Sequence, residues 1–245
     1  MKKFLNKTIE TLLELVYPNQ CIVCRQVIEF KTNKWLCPSC MDKIQPISGK
    51  TCDICGVPIA VDGICSDCRD KKLYFKKAYC AYEYKGGVRE AIHNIKFRDH
   101  PQNIRYFADK VFEYAKENGF EDADIVTFVP MYPKKERKRG FNQSAMLAKY
   151  LAKHKMGSYA QTLKKIKNTP DQHNLLKEER LKNLKGSFAA TDENAVKGKK
   201  ILLADDIYTT GSTVNECAKV LMEAGAESVE VVCIAIVNKR NTESE

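Results

Sequence analysis

The stretch "ILLADDIYTTGST", residues 201–213, sets two adjacent carboxylates between an apolar run and a turn rich in hydroxyls and glycine. The apolar residues Ile201–Ala204 read as a buried strand, which delivers Asp205 and Asp206 to the C-terminal edge of a sheet, where open α/β folds bind ligands. Thr209, Thr210, Gly211, Ser212 and Thr213 then open a helix, and backbone N–H groups at a helix N-terminus with flanking hydroxyls form an anion cradle. A ligand suited to both halves carries a phosphate at one end and vicinal hydroxyls or Mg²⁺ at the other, as a ribose 5-phosphate does. The acid pair alone reads equally well as a solvated turn, and Ser212 or Thr213 as a plain N-cap. It is the succession of strand, acids and phosphate-type turn that points to a site.

A second constellation lies upstream. Eight of the eleven cysteines form four C-x-x-C pairs: Cys21/Cys24, Cys37/Cys40, Cys52/Cys55 and Cys65/Cys68. Two thiolates at i and i+3 share one tight turn, and two such turns close a tetrahedral four-sulfur site. The spacing predicts two structural zinc sites, with metal ligation supplying folding energy to a short polar segment. Sequential pairing is expected, first with second and third with fourth, although an interleaved cross-brace satisfies the same spacing. Cys80, Cys217 and Cys233 sit in apolar or helical patterns and read as buried small residues. The four histidines are dispersed and form no metal-like pair.

Several elements must position these groups. An amphipathic pattern runs to about Val16, with polar residues that interrupt any export signal. No apolar run approaches the ~20 residues of a membrane helix, so a cytoplasmic protein is expected. From about Phe75, apolar runs alternate with helical patterns. "KAYCAYEYKG" reads as a strand turning at Gly86-Gly87, followed by a short helix in "VREAIHNIKF" and a longer one in "NIRYFADKVFEYAKENG" that Gly119 ends. "DIVTFVP" and "KKILLADDI" read as buried strands, with a helix "NQSAMLAKYLAKH" between them that Asn142 and Gln143 would cap. "STVNECAKVLMEAG" is a helix with Gly225 as its cap, and "SVEVVCIAIV" a last strand. Continuous apolar strands alternating with helices imply an α/β fold with a parallel sheet covered on both faces. The division expected is residues 1–72 for the N-terminal helix and cysteine module, and 73–245 for the α/β domain.

The formal net charge is +10, and residues 134–186 alone hold 15 basic and 4 acidic groups. Within them "KKERKRG" reads as a loop after the strand ending near Val129. Such a field attracts phosphate groups, and Phe141, Tyr150, Tyr159 and Phe188 lie within or beside the block.

Residues 201–213 resemble the phosphoribosyl pyrophosphate loop of type I phosphoribosyltransferases. "VPMYPKKERKRGFNQS", "NTPDQHNLLKEERLKNLKGSF" and "IHNIKF", together with the four cysteine pairs, are similar to the signatures of the ComF family, from about Pro18 to Val237. The resemblance implies a type I phosphoribosyltransferase-like sheet flanked by helices and preceded by a double zinc ribbon. It implies that Asp205 and Asp206 contact ribose hydroxyls and that Thr209 through Thr213 hold the 5-phosphate. Mg²⁺ would enter with phosphoribosyl pyrophosphate, held largely by the ligand's oxygens. Lys96, Arg137, Lys138 and Arg139 become candidates for the pyrophosphate end or for DNA, and His173 falls in a segment resembling the mobile loop over the site. The family's role implies natural transformation and DNA uptake, with single-stranded DNA, a DNA-uptake helicase or other competence proteins as partners. An active phosphoribosyltransferase with an unknown acceptor, or a regulator that senses phosphoribosyl pyrophosphate, stand as alternatives.

Overall fold

The apolar strands pair in one sheet because each presents two buried faces, which only a doubly covered parallel sheet accommodates. A computed structural model describes residues 19–28, 35–97, 101–168 and 184–238. The helical pattern to Val16, His100, His173 and the polar tail from Lys239 lie outside the described residues. The elements in chain order are α1 (Pro38–Met41), α2 (Ser66–Arg69), β1 (Ala78–Glu83), α3 (Gly86–Phe97), α4 (Ile104–Glu117), β2 (Ile125–Phe128), α5 (Pro133–Arg139) and α6 (Gln143–Lys153). There follow β3 (Ser158–Tyr159), β4 (Leu163–Lys165), β5 (Phe188–Ala190), α7 (Glu193–Val196), β6 (Lys200–Tyr208), α8 (Ser212–Glu223) and β7 (Ser228–Ile236).

Five strands form the main sheet in the order β1-β7-β6-β2-β3, all parallel. Side chains alternate along β6. Leu202 and Ala204 join a core with α3, α4 and α6 on one face, and Ile201 and Leu203 join α8 on the other. All four are essentially inaccessible, and burying each of the larger three is worth about 1.5–3 kcal/mol. The expected helix ends hold. Gly119 and Gly225 follow α4 and α8 with φ of 89° and 91°, and the Ala226 amide reaches back to Leu221, closing the last turn as a glycine C-cap does.

Two readings need correction. Gly86 and Gly87 do not form a turn after β1 but open α3. "KKERKRG" is not a loop but a short helix, α5, with Pro133 at its start and Gly140, at φ 84°, donating its amide to Glu136 at its end. Proline first and glycine last is the normal asymmetry of a helix, so the signal was present in the sequence. The short strands β3, β4 and β5 have too few residues to show an alternation; β4 and β5 form a separate antiparallel pair.

The cysteine module divides between the faces of the sheet. Cys21, Ile22, Cys37 and Cys40 join the core on the α3 and α4 face, whereas Cys52, Cys55, Cys65 and Cys68 join the α8 face beside Phe75 and Tyr208. Among the described residues, no helix is long and apolar enough to cross a membrane.

Candidate functional site

Strand order creates a crevice. From β2 the chain passes through α6 to β3 on one side, and from β6 through α8 to β7 on the other. The connections therefore diverge between β2 and β6, a topological switch point of the kind where α/β sheets take ligands. β2 ends its pairing with Phe128 opposite Ala204, while β6 continues against β7 as far as Tyr208. The strand thus runs on through the acids rather than turning at them, and Asp205 and Asp206 stand just beyond the end of β2.

Both carboxylates are buried and both are met by the start of α6. Asn142 caps that helix, its side-chain oxygen accepting from the amides of Ser144 and Ala145. The cap turns the next two side chains into the crevice. Ser144 Oγ donates to Asp205 Oδ1 at 2.9 Å, and the Asp206 amide donates to the same oxygen at 2.9 Å. Gln143 Nε2 approaches Asp206 Oδ1 at 3.4 Å while its Oε1 accepts from Arg139 Nη1 at 2.9 Å. On the far side, Lys96 Nζ forms an ion pair with Asp206 Oδ2, and both side chains are nearly out of solvent.

This asymmetry separates the two acids. Burial, with the neighbouring Asp206 charge, pushes the Asp205 carboxyl up to about 8. Burial alone would raise Asp206 too, but the Lys96 ammonium outweighs it and holds that carboxyl below the ordinary range. Burial thus favours a proton on Asp205, while Lys96 favours charge on Asp206. Between about pH 4 and 8 the folded chain keeps a proton on Asp205 that the unfolded chain releases, so this group's contribution to stability falls as pH rises. Asp205→Asn keeps the acceptor oxygen and removes the titration. It is expected to raise the melting temperature by about 5 °C at pH 8 and to flatten its decline between pH 5 and 8. Thermal melts across that range check it, and an unchanged slope would refute the assignment.

The phosphate-type turn follows β6 directly. Gly211 has φ 76°, and a Cβ there would lie 2.2 Å from the Tyr208 hydroxyl oxygen, so both conformation and space demand glycine. Thr210 Oγ1 and Ser212 Oγ are 2.8 Å apart, and Ser212 is buried at the start of α8. Thr209, Thr210 and Thr213 are half-buried around it. The Thr210 and Ser212 hydroxyls thus meet at the N-terminus of a twelve-residue helix, where the first-turn amides and the positive end of the helix dipole lie.

The four basic candidates separate. Lys96 and Arg139 are drawn into the crevice, Lys96 by Asp206 and Arg139 by Gln143, with the Arg139 guanidinium 5.3 Å over the Phe97 ring. Arg137 and Lys138 point outward on α5 and are exposed. Gln143 and Ser144 escaped the sequence reading, where Gln143 was assigned to capping. The signal for them was the Asn142 cap itself, because side chains in the first turn of a helix at a switch point face the crevice.

The cysteines assemble as two groups, Cys21, Cys24, Cys37, Cys40 and Cys52, Cys55, Cys65, Cys68, with the sulfurs of each within 4.8 Å of one another. The pairing is sequential, and the cross-brace is excluded. Sulfur separations of 3.6 Å (Cys24 to Cys37) and 3.7 Å (Cys55 to Cys65) match the about 3.8 Å edge of a tetrahedron with zinc–sulfur bonds of 2.3 Å. They are far beyond a disulfide bond of about 2.05 Å. All four positions of each site are taken by thiolates, so the donor set fits structural zinc.

Residues 12–69 match the double zinc ribbon domain, and residues 138–245 match the phosphoribosyl transferase domain. The DNA utilization protein YhgH of Salmonella typhimurium is 30% identical over 229 residues, spanning 90% of this chain and 98% of its own. The competence protein ComFC of Bacillus subtilis is 30% identical over 215 residues, spanning 84% of this chain and 86% of its own. A solved structure of the allosteric regulatory enzyme of purine biosynthesis aligns with 53% of this chain and 25% of its own at 23% identity, with a TM-score of 0.35. The phosphoribosyl transferase match takes in β3 to β7, and with them most of the parallel sheet. With matching relatives over nine-tenths of its length, a double zinc ribbon and a phosphoribosyltransferase domain, the chain belongs to the ComF family of competence and DNA-utilization proteins.

Proposed function

We propose that the crevice binds phosphoribosyl pyrophosphate with Mg²⁺ and that the protein handles single-stranded DNA during uptake in the cytoplasm, beside a DNA-uptake helicase or other competence proteins. The observation that carries the ligand reading is the buried Asp205/Asp206 pair and the Thr209–Ser212 turn at one switch point. The acids meet the ribose hydroxyls, the turn takes the 5-phosphate, and Lys96 and Arg139 face the pyrophosphate. The DNA reading draws on the basic block. Arg137 and Lys138 are exposed on α5, and on α6 Lys149 and Lys153 lie 5.4 and 5.0 Å over the rings of Tyr159 and Tyr150. Cations interleaved with aromatic rings suit a single strand, whose bases stack while its phosphates are neutralised.

Calorimetric titration of phosphoribosyl pyrophosphate with Mg²⁺ tests the ligand half. Wild-type protein is expected to bind, and Asp205→Asn/Asp206→Asn to bind at least about tenfold more weakly, since hydrogen bonds to charged acceptors exceed neutral ones by a kcal/mol or more. Equal affinity in the two proteins would overturn the site. Pyrophosphate appearing in the same samples on addition of an amine or nucleobase would extend the reading to group transfer. For the DNA half, affinity for an oligonucleotide is expected to fall steeply with salt, and affinity that ignores salt would remove the basic block from the reading.

A further inference from the structure

We propose that the second zinc ribbon and the phosphate turn act as one coupled unit, in which Lys71 is a positioning residue that links metal occupancy at Cys52, Cys55, Cys65 and Cys68 to ligand affinity at Thr209–Ser212. This rests on the phosphate-site reading above and adds to it a third wall, supplied by the cysteine module.

The segment leaving the ribbon runs along the phosphate turn. α2, which carries Cys68, is a single turn closed by the Cys68 amide on the Cys65 carbonyl, and the Lys71 amide in turn donates to the Cys68 carbonyl. Lys71 Nζ donates to the Thr210 carbonyl at 3.3 Å. Asn215, in the first turns of α8, uses both ends of its amide on the same segment. Its Oδ1 accepts from the Tyr74 amide at 2.8 Å, and its Nδ2 donates to the Lys72 carbonyl at 3.1 Å. The Phe75 ring meets Tyr208 edge-on, with centroids 6.4 Å apart, and Tyr208 is the side chain that fills the space beneath Gly211. A cavity of about 40 Å³ is lined jointly by the ribbon and the turn, through Cys55, Cys65, Cys68, Lys71, Thr209 and Thr210 among others.

The consequences follow from peptide geometry and helix physics. In a trans peptide the carbonyl and the next amide point in opposite directions, and the described chain has no cis bond. Fixing the Thr210 carbonyl on Lys71 therefore turns the Gly211 amide away from the ribbon. Lys71 also brings a positive charge to a turn otherwise made of neutral groups. A one-turn helix such as α2 does not persist alone, so the place of Lys71 depends on the four thiolates being gathered. What the metal gives to the turn, a ligand in the turn must return to the metal, because coupling between two sites is reciprocal.

The test follows zinc release from the full-length holoprotein to a colorimetric chelator, with and without phosphoribosyl pyrophosphate and Mg²⁺. Cys24 is exposed, whereas all four sulfurs of the second site are buried, so the slower phase reports the second site. The probe is expected to slow that phase about fivefold or more. Lys71→Met, confirmed to hold two zinc per chain, is expected to bind the probe about tenfold more weakly and to lose the slowing, while Lys71→Arg restores both. If the probe binds the wild type yet leaves the slow phase unchanged, the coupling is wrong and the phosphate site stands. A weakened Lys71→Met that still shows the slowing overturns it equally, leaving only a direct charge effect. If neither the probe nor inorganic phosphate binds the wild type, the site reading and this inference fall together.

Discussion

Asp206→Ala is expected to lower stability by about 3–5 kcal/mol, because it strands the Lys96 ammonium without its partner in a nearly dry crevice. The ion pair joins α3 to the end of β6, and both side chains are almost entirely covered. Burial alone would neutralise Asp206, and it is Lys96 that keeps it charged. Removing the lysine charge as well, in Asp206→Ala/Lys96→Met, is expected to recover most of the loss, since the penalty lies in the unpaired charge rather than in the missing contact. Denaturant unfolding of the wild type, both single variants and the double gives the coupling between the two residues. The sign with pH is fixed by the direction of the shift. Asp206 is depressed, so its contribution is present above the ordinary carboxylate range and is lost as pH falls through its folded value. Wild type and Asp206→Ala should therefore converge in acid. Indistinguishable stabilities at neutral pH would mean that Lys96 reaches solvent and that the crevice is wetter than its burial indicates.

Loss of metal at the second ribbon is expected to be the larger effect. Cys65→Ser should bind one zinc per chain instead of two and lower the melting temperature by more than about 10 °C. Structural zinc contributes about 10–16 kcal/mol of apparent binding energy in small modules, and here the ligands also form part of a core. Cys52, Cys55, Cys65 and Cys68 pack with Phe75, Tyr208 and the α8 face of the sheet, so an unligated ribbon uncovers apolar surface that the sheet depends on. Close packing sharpens the effect. A Cβ at Gly56, in the turn after Cys55, would lie 2.8 Å from the Ala78 carbonyl oxygen of β1. Cys24→Ser at the first site should cost less, because Cys24 is exposed. Zinc analysis with calorimetric melts checks both variants. A Cys65→Ser protein that keeps two zinc or the wild-type melting temperature would show that the sulfurs are not the structural ligands.

The parts of this protein that spacing determines were legible in its sequence. Four C-x-x-C pairs specify four turns that each present two thiolates, and an apolar run followed by two acids and a hydroxyl-rich turn specifies β6 and the start of α8. Gly119 and Gly225 mark helix ends because few other residues accept their backbone angles. These are short-range geometries, set within about ten residues of chain. The start and end of α5 were encoded in the same way, by Pro133 and Gly140, and the run of charges between them obscured it.

Tertiary structure decided the rest. Lys96 meets Asp206 across 110 positions of sequence, Gln143 meets it across 63, and Ser144 meets Asp205 across 61. No periodicity contains those pairings. They exist because β2 stops at Phe128 while β6 continues to Tyr208, and because α6 leaves β2 on the side opposite to the exit of α8 from β6. The separation of the two acids, one pushed up and one held down, also arises only there, since residue type is identical and environment alone separates them. The seating of the two ribbons on opposite faces of the sheet is of the same kind. Cysteine spacing determines how a metal is held, whereas the surface a ribbon covers depends on where the chain enters the sheet.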